Sequence, residues 1–245
     1  MCFKRLIVSV KKAVEAVPFD VPFGVRLQLP TDVDQIALQH TWQSCWDEAM
    51  NRPAYSVLVH PEQGAMALDE WLDEQGGPTL EKFLMFVAVQ LHDSPPQNSG
   101  EAAVAMLIGW APLASRRRIK CIGSLHRPVQ VPVQVSGEDI NAPLSTALQW
   151  GRAKHDAVTD LWQAGLDKAD KATVLNGSSV LELGVSKTDD LSGMHDLDAA
   201  LGRSGCASAW LALALSLEHA AQTHRPQLVA WRDASLHFSI VQPVA

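Results

Sequence analysis

Apolar and polar positions alternate in FGVRLQLP (23–30) as far as Pro30, and this predicts a strand. Thr31 and Asp34 follow as a capping pair. Ile36, Leu38, Trp42, Cys45, Trp46 and Met50 then recur at three- and four-residue spacing, the pattern of a helix with one apolar face that stops by Pro53. AYSVLVHP (54–61) reads as a short strand of the buried type, and residues 66–75 as a short helix closed by Gly76-Gly77-Pro78. KFLMFVAVQLHD (82–93) and EAAVAMLIGWAP (101–112) flank SPPQNSG as a hairpin with a long exposed loop. Both strands are almost continuously apolar, so both are expected to be central and covered on two faces.

Residues 116–135 are strand-like but broken by Pro128 and Pro132, which suits an edge strand or an extended arm, because proline removes a ladder donor. A long helix is predicted over 143–164 from Leu144, Leu148, Ala153, Ala157, Leu161 and Trp162. A strand and turn follow at ATVLNGSS (172–179), then an irregular polar stretch over 180–200. LGRSGCASAWLALALSLEHA (201–220) is a glycine turn leading into a helix with almost no polar face, helical to about Ala221. PQLVAWRD (226–233) and ASLHFSIVQP (234–243) close the chain as paired strands. Strands alternating with helices, with a buried Ala/Leu-rich helix among them, predict an α/β layered sandwich with a mixed sheet and leave room for two related lobes.

Composition narrows the classes of function. At 245 residues and 47% apolar, the chain can bury a sizeable core as one large or two small domains. A net charge of −7 excludes a general nucleic-acid binder, and the one basic run, Arg116-Arg117-Arg118, reads as a solvated turn. Cys2, Cys45, Cys121 and Cys206 lack CxxC spacing and read as reduced thiols of an intracellular, cytoplasmic protein. Leu6 to Val10 is too short for a signal peptide, and no run reaches the roughly 20 apolar residues of a membrane helix. The nine histidines show no HxH, HxxxH or HExxH spacing, so neither a metal nor a cofactor is expected. His219 and His224 read as helix caps. Asp189, Asp190, Asp196 and Asp198 form an acidic loop without calcium-loop spacing.

Several segments, in order, resemble the later part of a β-ketoacyl synthase, a member of the thiolase-like fold. These are SGEAAVAMLIG (99–109), RRRIKCIG (116–123), the 143–164 helix with AGLDKADKATVLNGSS (164–179), LGRSGCASAWLALAL (201–215) and DASLHFSIVQPV (233–244). The resemblance covers residues 81–245 and leaves 1–80 as an N-terminal lobe or an added layer. It implies that the family's first catalytic histidine falls at Asn176 and its second at Arg203, while residues 1–80 contain no nucleophile elbow. Asn176 can still donate a hydrogen bond. Arg203 cannot act as a base. The resemblance therefore implies the fold without its usual condensation chemistry.

Two readings of function stay open. In one, the chain is a non-catalytic adaptor that binds another protein, with Trp110, Arg117 and Trp231 as contact residues. Residues 109–131, GWAPLASRRRIKCIGSLHRPVQV, resemble an adaptor family of type VI secretion whose partner is a secreted phospholipase effector. The loop HDSPPQNSG (92–100) and the proline-broken segment 126–135 are further contact elements, and a homo-oligomer is compatible with this reading. In the other, Cys206 is the acyl-accepting nucleophile of a thioester-handling enzyme. A helix start and Arg203 would favour its thiolate, and His195 or His237 would serve as base. The competing view of Cys206 is a small residue packed among Gly202, Gly205, Ala207 and Ser208.

Overall fold

The computed structural model describes residues 2–74, 81–92, 94–132, 140–187, 190 and 192–244. The chain divides into two compact units, one built mainly from residues 1–96 and 101–120 with 205–207, the other from 97–100, 121–204 and 208–245.

The first unit holds helix α1 (Cys2–Glu15), strand β1 (Phe23–Gln28), α2 (Gln35–Ala49), β2 (Ser56–Leu58), α3 (Ala67–Glu74), the hairpin β3 (Phe83–Gln90) and β4 (Ala102–Gly109), and the short α4 (Ala111–Arg116). Its sheet runs β2-β1-β3-β4, with β1 parallel to β2 and β3 and with β4 antiparallel to β3. The register Val25↔Met85 and Leu27↔Val87 puts alternate residues of both strands into one core with Phe3 and Ile7 of α1 and Trp42 and Trp46 of α2. Phe3 meets Trp42 edge-on at 5.4 Å, and Trp42 stacks on Trp46 at 6.2 Å. Asp34 caps α2 by accepting from the Ala37 amide at 3.0 Å. The connection from α1 to β1 is fixed by Arg52, whose buried guanidinium donates to the main-chain carbonyls of Val17, Pro18 and Val21. No side chain with a single donor point could replace that fork.

Two expectations for this unit need correction. All of β3 is buried, as the apolar run implied, but β4 is an edge strand and only half-buried. Likewise β2 is an exposed edge of three residues, with Val57 facing solvent. The apolar run in β4 is used on one face by α1, and its outer edge has no neighbouring strand among the described residues. The turn Gly76-Gly77-Pro78 and Asp93 lie outside the described residues.

The second unit contains β5 (Gly123–Leu125), β6 (Val129–Gln130), α5 (Asn141–Trp150), β7 (Asp160–Ala164), α6 (Lys168–Val180), β8 (Met194–Asp196), α7 (Leu197–Leu201), α8 (Ser208–Thr223), β9 (Gln227–Arg232) and β10 (Leu236–Pro243). Its mixed sheet runs β5-β10-β9-β7-β8, with β6 also on β10. β9 and β10 pair as the sequence pattern requires, and β5 and β6 are the edge pieces expected of the proline-broken segment, whose residues 133–135 lie outside the description. Leu144, Leu148 and Val174 of α5 and α6 pack on Leu161, Leu228, Ala230, Phe238 and Ile240. Helix α8 packs on β7, β9 and β10, and its Trp210 and Leu213 are buried.

The predicted helix over 143–164 ends at Trp150. Gly151 sits where a Cβ would strike Ile240, Arg152 takes a positive φ of 49°, and the chain resumes as β7. Residues 172–179 are helical, not a strand and turn. Asp167 and Asp170 form a reciprocal capping box that starts α6, and this outweighs the β-branched residues of ATVL. The stretch 180–200 is also more regular than its polarity suggested, since it carries β8 and α7.

Candidate functional site

Two places gather chemistry. In the first unit, the parallel strands β1, β2 and β3 end at a cleft of ≈ 420 Å³ lined by Gln28, Pro30, Asp32, Pro61, Gln90 and Cys206. The carboxyl ends of parallel strands are where ligands bind in open α/β sheets. Cys206 lies in a short 3-10 turn, Gly205–Ala207, and is half-buried. Its amide donates to Gln90 Oε1 at 3.3 Å, and its thiol donates to the Val89 carbonyl at 3.5 Å. Gly205 has φ +49° and leaves no room for a Cβ beside the Gln90 amide, so glycine is required for this approach. A carbonyl accepts a hydrogen bond but cannot take the proton. The contact is made by the neutral thiol and would become repulsive in the thiolate.

The bases proposed for Cys206 are engaged elsewhere. His237 is buried against Trp231, with ring centroids 5.3 Å apart. Burial, with the charge of Arg232, pushes its pKa down to about 4. His195 is bonded to Asp160. Asn176, where the resemblance places the family's first catalytic histidine, is exposed in the middle of α6 and not in the turn that the sequence pattern predicted. Arg203 is exposed, and its main chain bridges to Asn98 and Gly100.

The second place was not legible as a motif. Asp160 begins β7, His195 lies in β8 and His219 in α8, and one ligand atom from each falls within 4.8 Å of the others. His195 Nε2 is 3.0 Å and His219 Nε2 3.2 Å from the same oxygen, Asp160 Oδ1. A carboxylate only accepts, so both imidazoles carry hydrogen on Nε2. Thr159 Oγ1 donates to the other oxygen, Oδ2, at 2.8 Å. Trp162 stacks on His195 at 4.0 Å and 22°, and its Nε1 donates to Gln227 Oε1 at 3.0 Å. Burial alone would raise the Asp160 pKa. The hydrogen bonds from His195 and Thr159, with the charges of His219 and His195, outweigh it and hold the carboxyl below its ordinary value. Parallel pairing sets His195 opposite Trp162, and Gly193 lets β8 begin close to β7, since a Cβ there would run into the Thr159 carbonyl. The capping role expected of His219 is therefore replaced by this contact. His224, at φ 56°, caps α8 through its own amide, which donates to the Ala220 carbonyl.

The other candidate residues have structural surroundings. Trp110 is half-buried at the start of α4, with the Arg116 guanidinium 5.7 Å over its ring. Arg117 is exposed and pairs with Asp20 at 2.8 Å. Trp231 is 0% exposed and cannot meet a partner, which corrects its place among the contact residues. Trp150, at 45%, is the exposed tryptophan among the described residues. Of the acidic loop, Asp189 lies outside the described residues. Asp190 accepts from Ser192, Asp196 caps α7 and pairs with Lys171, and Asp198 accepts from Gly165.

Among the described residues no helix is long and apolar enough to cross a membrane. No protein-family model and no curated protein sequence matches the chain. Solved structures do. The ishigamide ketosynthase/chain length factor is 17% identical with a TM-score of 0.58, over 94% of this chain and 75% of that one. A ketosynthase from module 6 of the bacillaene synthase of Bacillus subtilis 168 is 11% identical with a TM-score of 0.65, over 99% of this chain and 57% of that one. The Acat5 thiolase from Ascaris suum, in complex with coenzyme A, is 9% identical with a TM-score of 0.62, over 99% and 94%. At these identities what is shared is the architecture, and this chain has a thiolase-like α/β fold.

Proposed function

We propose that this chain is a catalytically degenerate, non-catalytic member of the thiolase-like fold that works by binding another protein. The observation that carries the reading is the hydrogen bond from the Cys206 thiol to the Val89 carbonyl. Acyl transfer needs a thiolate and a group that accepts its proton. Here the thiol that lines the cleft donates to a carbonyl, which cannot take its proton, and the histidines named as its bases have other partners. The cleft itself favours the competing reading, a thioester-handling enzyme, because it brings Cys206 to the carboxyl ends of three parallel strands.

The contact surface in this reading is α4 and the exposed Arg117, Arg118 and Lys120 that follow it, with Trp110 and Arg117 as anchors. Tryptophan and arginine dominate binding energy where they become fully covered. The resemblance of residues 109–131 to a type VI secretion adaptor suggests a secreted bacterial effector as the partner. Native purification from the source cell is expected to yield a stoichiometric complex. Arg117→Glu and Trp110→Ala are expected to weaken it by at least about tenfold while the chain stays folded. A chain that purifies alone and turns over acyl thioesters would overturn the reading.

A further inference from the structure

We propose that Asp160, His195 and His219 form a binding site for a divalent transition-metal ion of borderline softness, with zinc as the reference ion. Two imidazole nitrogens and one carboxylate oxygen suit this class of ion and are a poor set for calcium or magnesium, which take oxygen ligands. The geometry is close to what an ion needs. Ligands about 2.0–2.1 Å from a tetrahedral ion stand roughly 3.3–3.4 Å apart, and the two nitrogens lie 3.0 and 3.2 Å from Asp160 Oδ1. Both Nε2 atoms aim at one oxygen. An ion set between Oδ1 and the two nitrogens would replace both hydrogen bonds, each imidazole carrying its proton on Nδ1 instead of Nε2.

The surroundings restrain two of the three ligands, Asp160 and His195. Thr159 holds the second carboxylate oxygen, Trp162 stacks flat on His195, and Gln227 fixes Trp162 in turn. Side-chain exposures of 13% for Asp160, 26% for His195 and 30% for His219 leave the cluster open on one side, so water can fill a fourth position. The ligands come from β7, β8 and α8, elements 24 to 59 residues apart in the chain, so a bound ion would cross-link the second unit. The proposal does not rest on the protein-binding reading.

The test uses the full chain, stripped with a chelator and dialysed, then titrated separately with Zn²⁺ and Co²⁺. One equivalent of Zn²⁺ is expected to bind and to raise the Tm. His195→Gln, His219→Gln and Asp160→Asn are each expected to weaken binding by at least about tenfold. Co²⁺ is expected to give the strong visible absorption of a four-coordinate nitrogen–oxygen site. In the wild-type chain, Zn²⁺ is expected to protect His195 and His219 from diethyl pyrocarbonate, a readout that needs no variant to fold. Sub-stoichiometric binding, a thiolate-to-cobalt charge-transfer band, unchanged affinity in folded variants, or unprotected His195 and His219 would each overturn the site.

Discussion

Trp231→Ala is expected to lower the stability of the chain by about 3–5 kcal/mol, the cost of emptying a well-packed aromatic site. Trp231 is in β9, paired with β10 on one side and β7 on the other, and is fully buried. Its Nε1 donates to Asp233 at 3.2 Å, and its ring covers His237. The change therefore removes a large side chain and opens a cavity beside an imidazole. A chemical denaturation curve measures this through its midpoint. A loss below about 1 kcal/mol, with partner binding impaired, would return Trp231 to the surface contacts.

The second large effect is a dependence on pH centred on the same stack. His237 is neutral when folded because burial, with the charge of Arg232, holds its pKa at about 4, and among the described residues its Nδ1 has no hydrogen-bond partner. The unfolded chain takes up this proton near pH 6.5, as an ordinary histidine does. Between these values the unfolded state binds the extra proton, so stability falls as the pH falls, by about 1.4 kcal/mol per unit. Above the unfolded value the contribution is fully present. His126, also lowered by burial and by the charge of Arg152, adds a slope of the same sign. Asp198, raised by burial, acts in the opposite sense and blunts the acid end. Asp160 lies below the ordinary carboxylate range, so its contribution is lost only at still lower pH. His237→Phe keeps a ring against Trp231 and removes the titration. Denaturation series from pH 7.5 to 4.5 are expected to lose the larger part of the slope in this variant, and an unchanged slope would assign it elsewhere.

What could be read from the sequence was local. Asp34 before an amphipathic run, the β3–β4 hairpin and the β9–β10 pair all rest on neighbours within one or two elements, and all are present. The start of α6 was a local signal too, the Asp167–Asp170 capping box ahead of a strand-like ATVL, and the other errors came where a tertiary contact decided. Gly151 ends α5 because Ile240 of β10 lies against it, and nothing within residues 143–164 reports that contact. The half-exposure of β4 depends on its place at the sheet edge, which its composition does not encode. The Asp160–His195–His219 cluster escaped for the same reason. Spacing rules find ligands that share one helix or one turn, whereas β7, β8 and α8 deliver one each. For Cys206 the residue was identified and its setting was not. The chain brings it to a cleft, as a nucleophile requires, and then gives its proton a carbonyl as partner.

That last contact is also where the account is most exposed. Intact-protein mass spectrometry, after incubation with acyl-coenzyme A and with an acyl-pantetheine thioester at neutral pH, tests it directly. Peptide mapping separates Cys206 from the exposed Cys121, and a short cysteine peptide treated in parallel gives the rate of unassisted reaction. Cys206 is expected to acquire acyl group no faster than the cysteine peptide, and no thioester is expected to be turned over. A stoichiometric acyl adduct on Cys206, formed faster than on the cysteine peptide and abolished by Cys206→Ser, would contradict it.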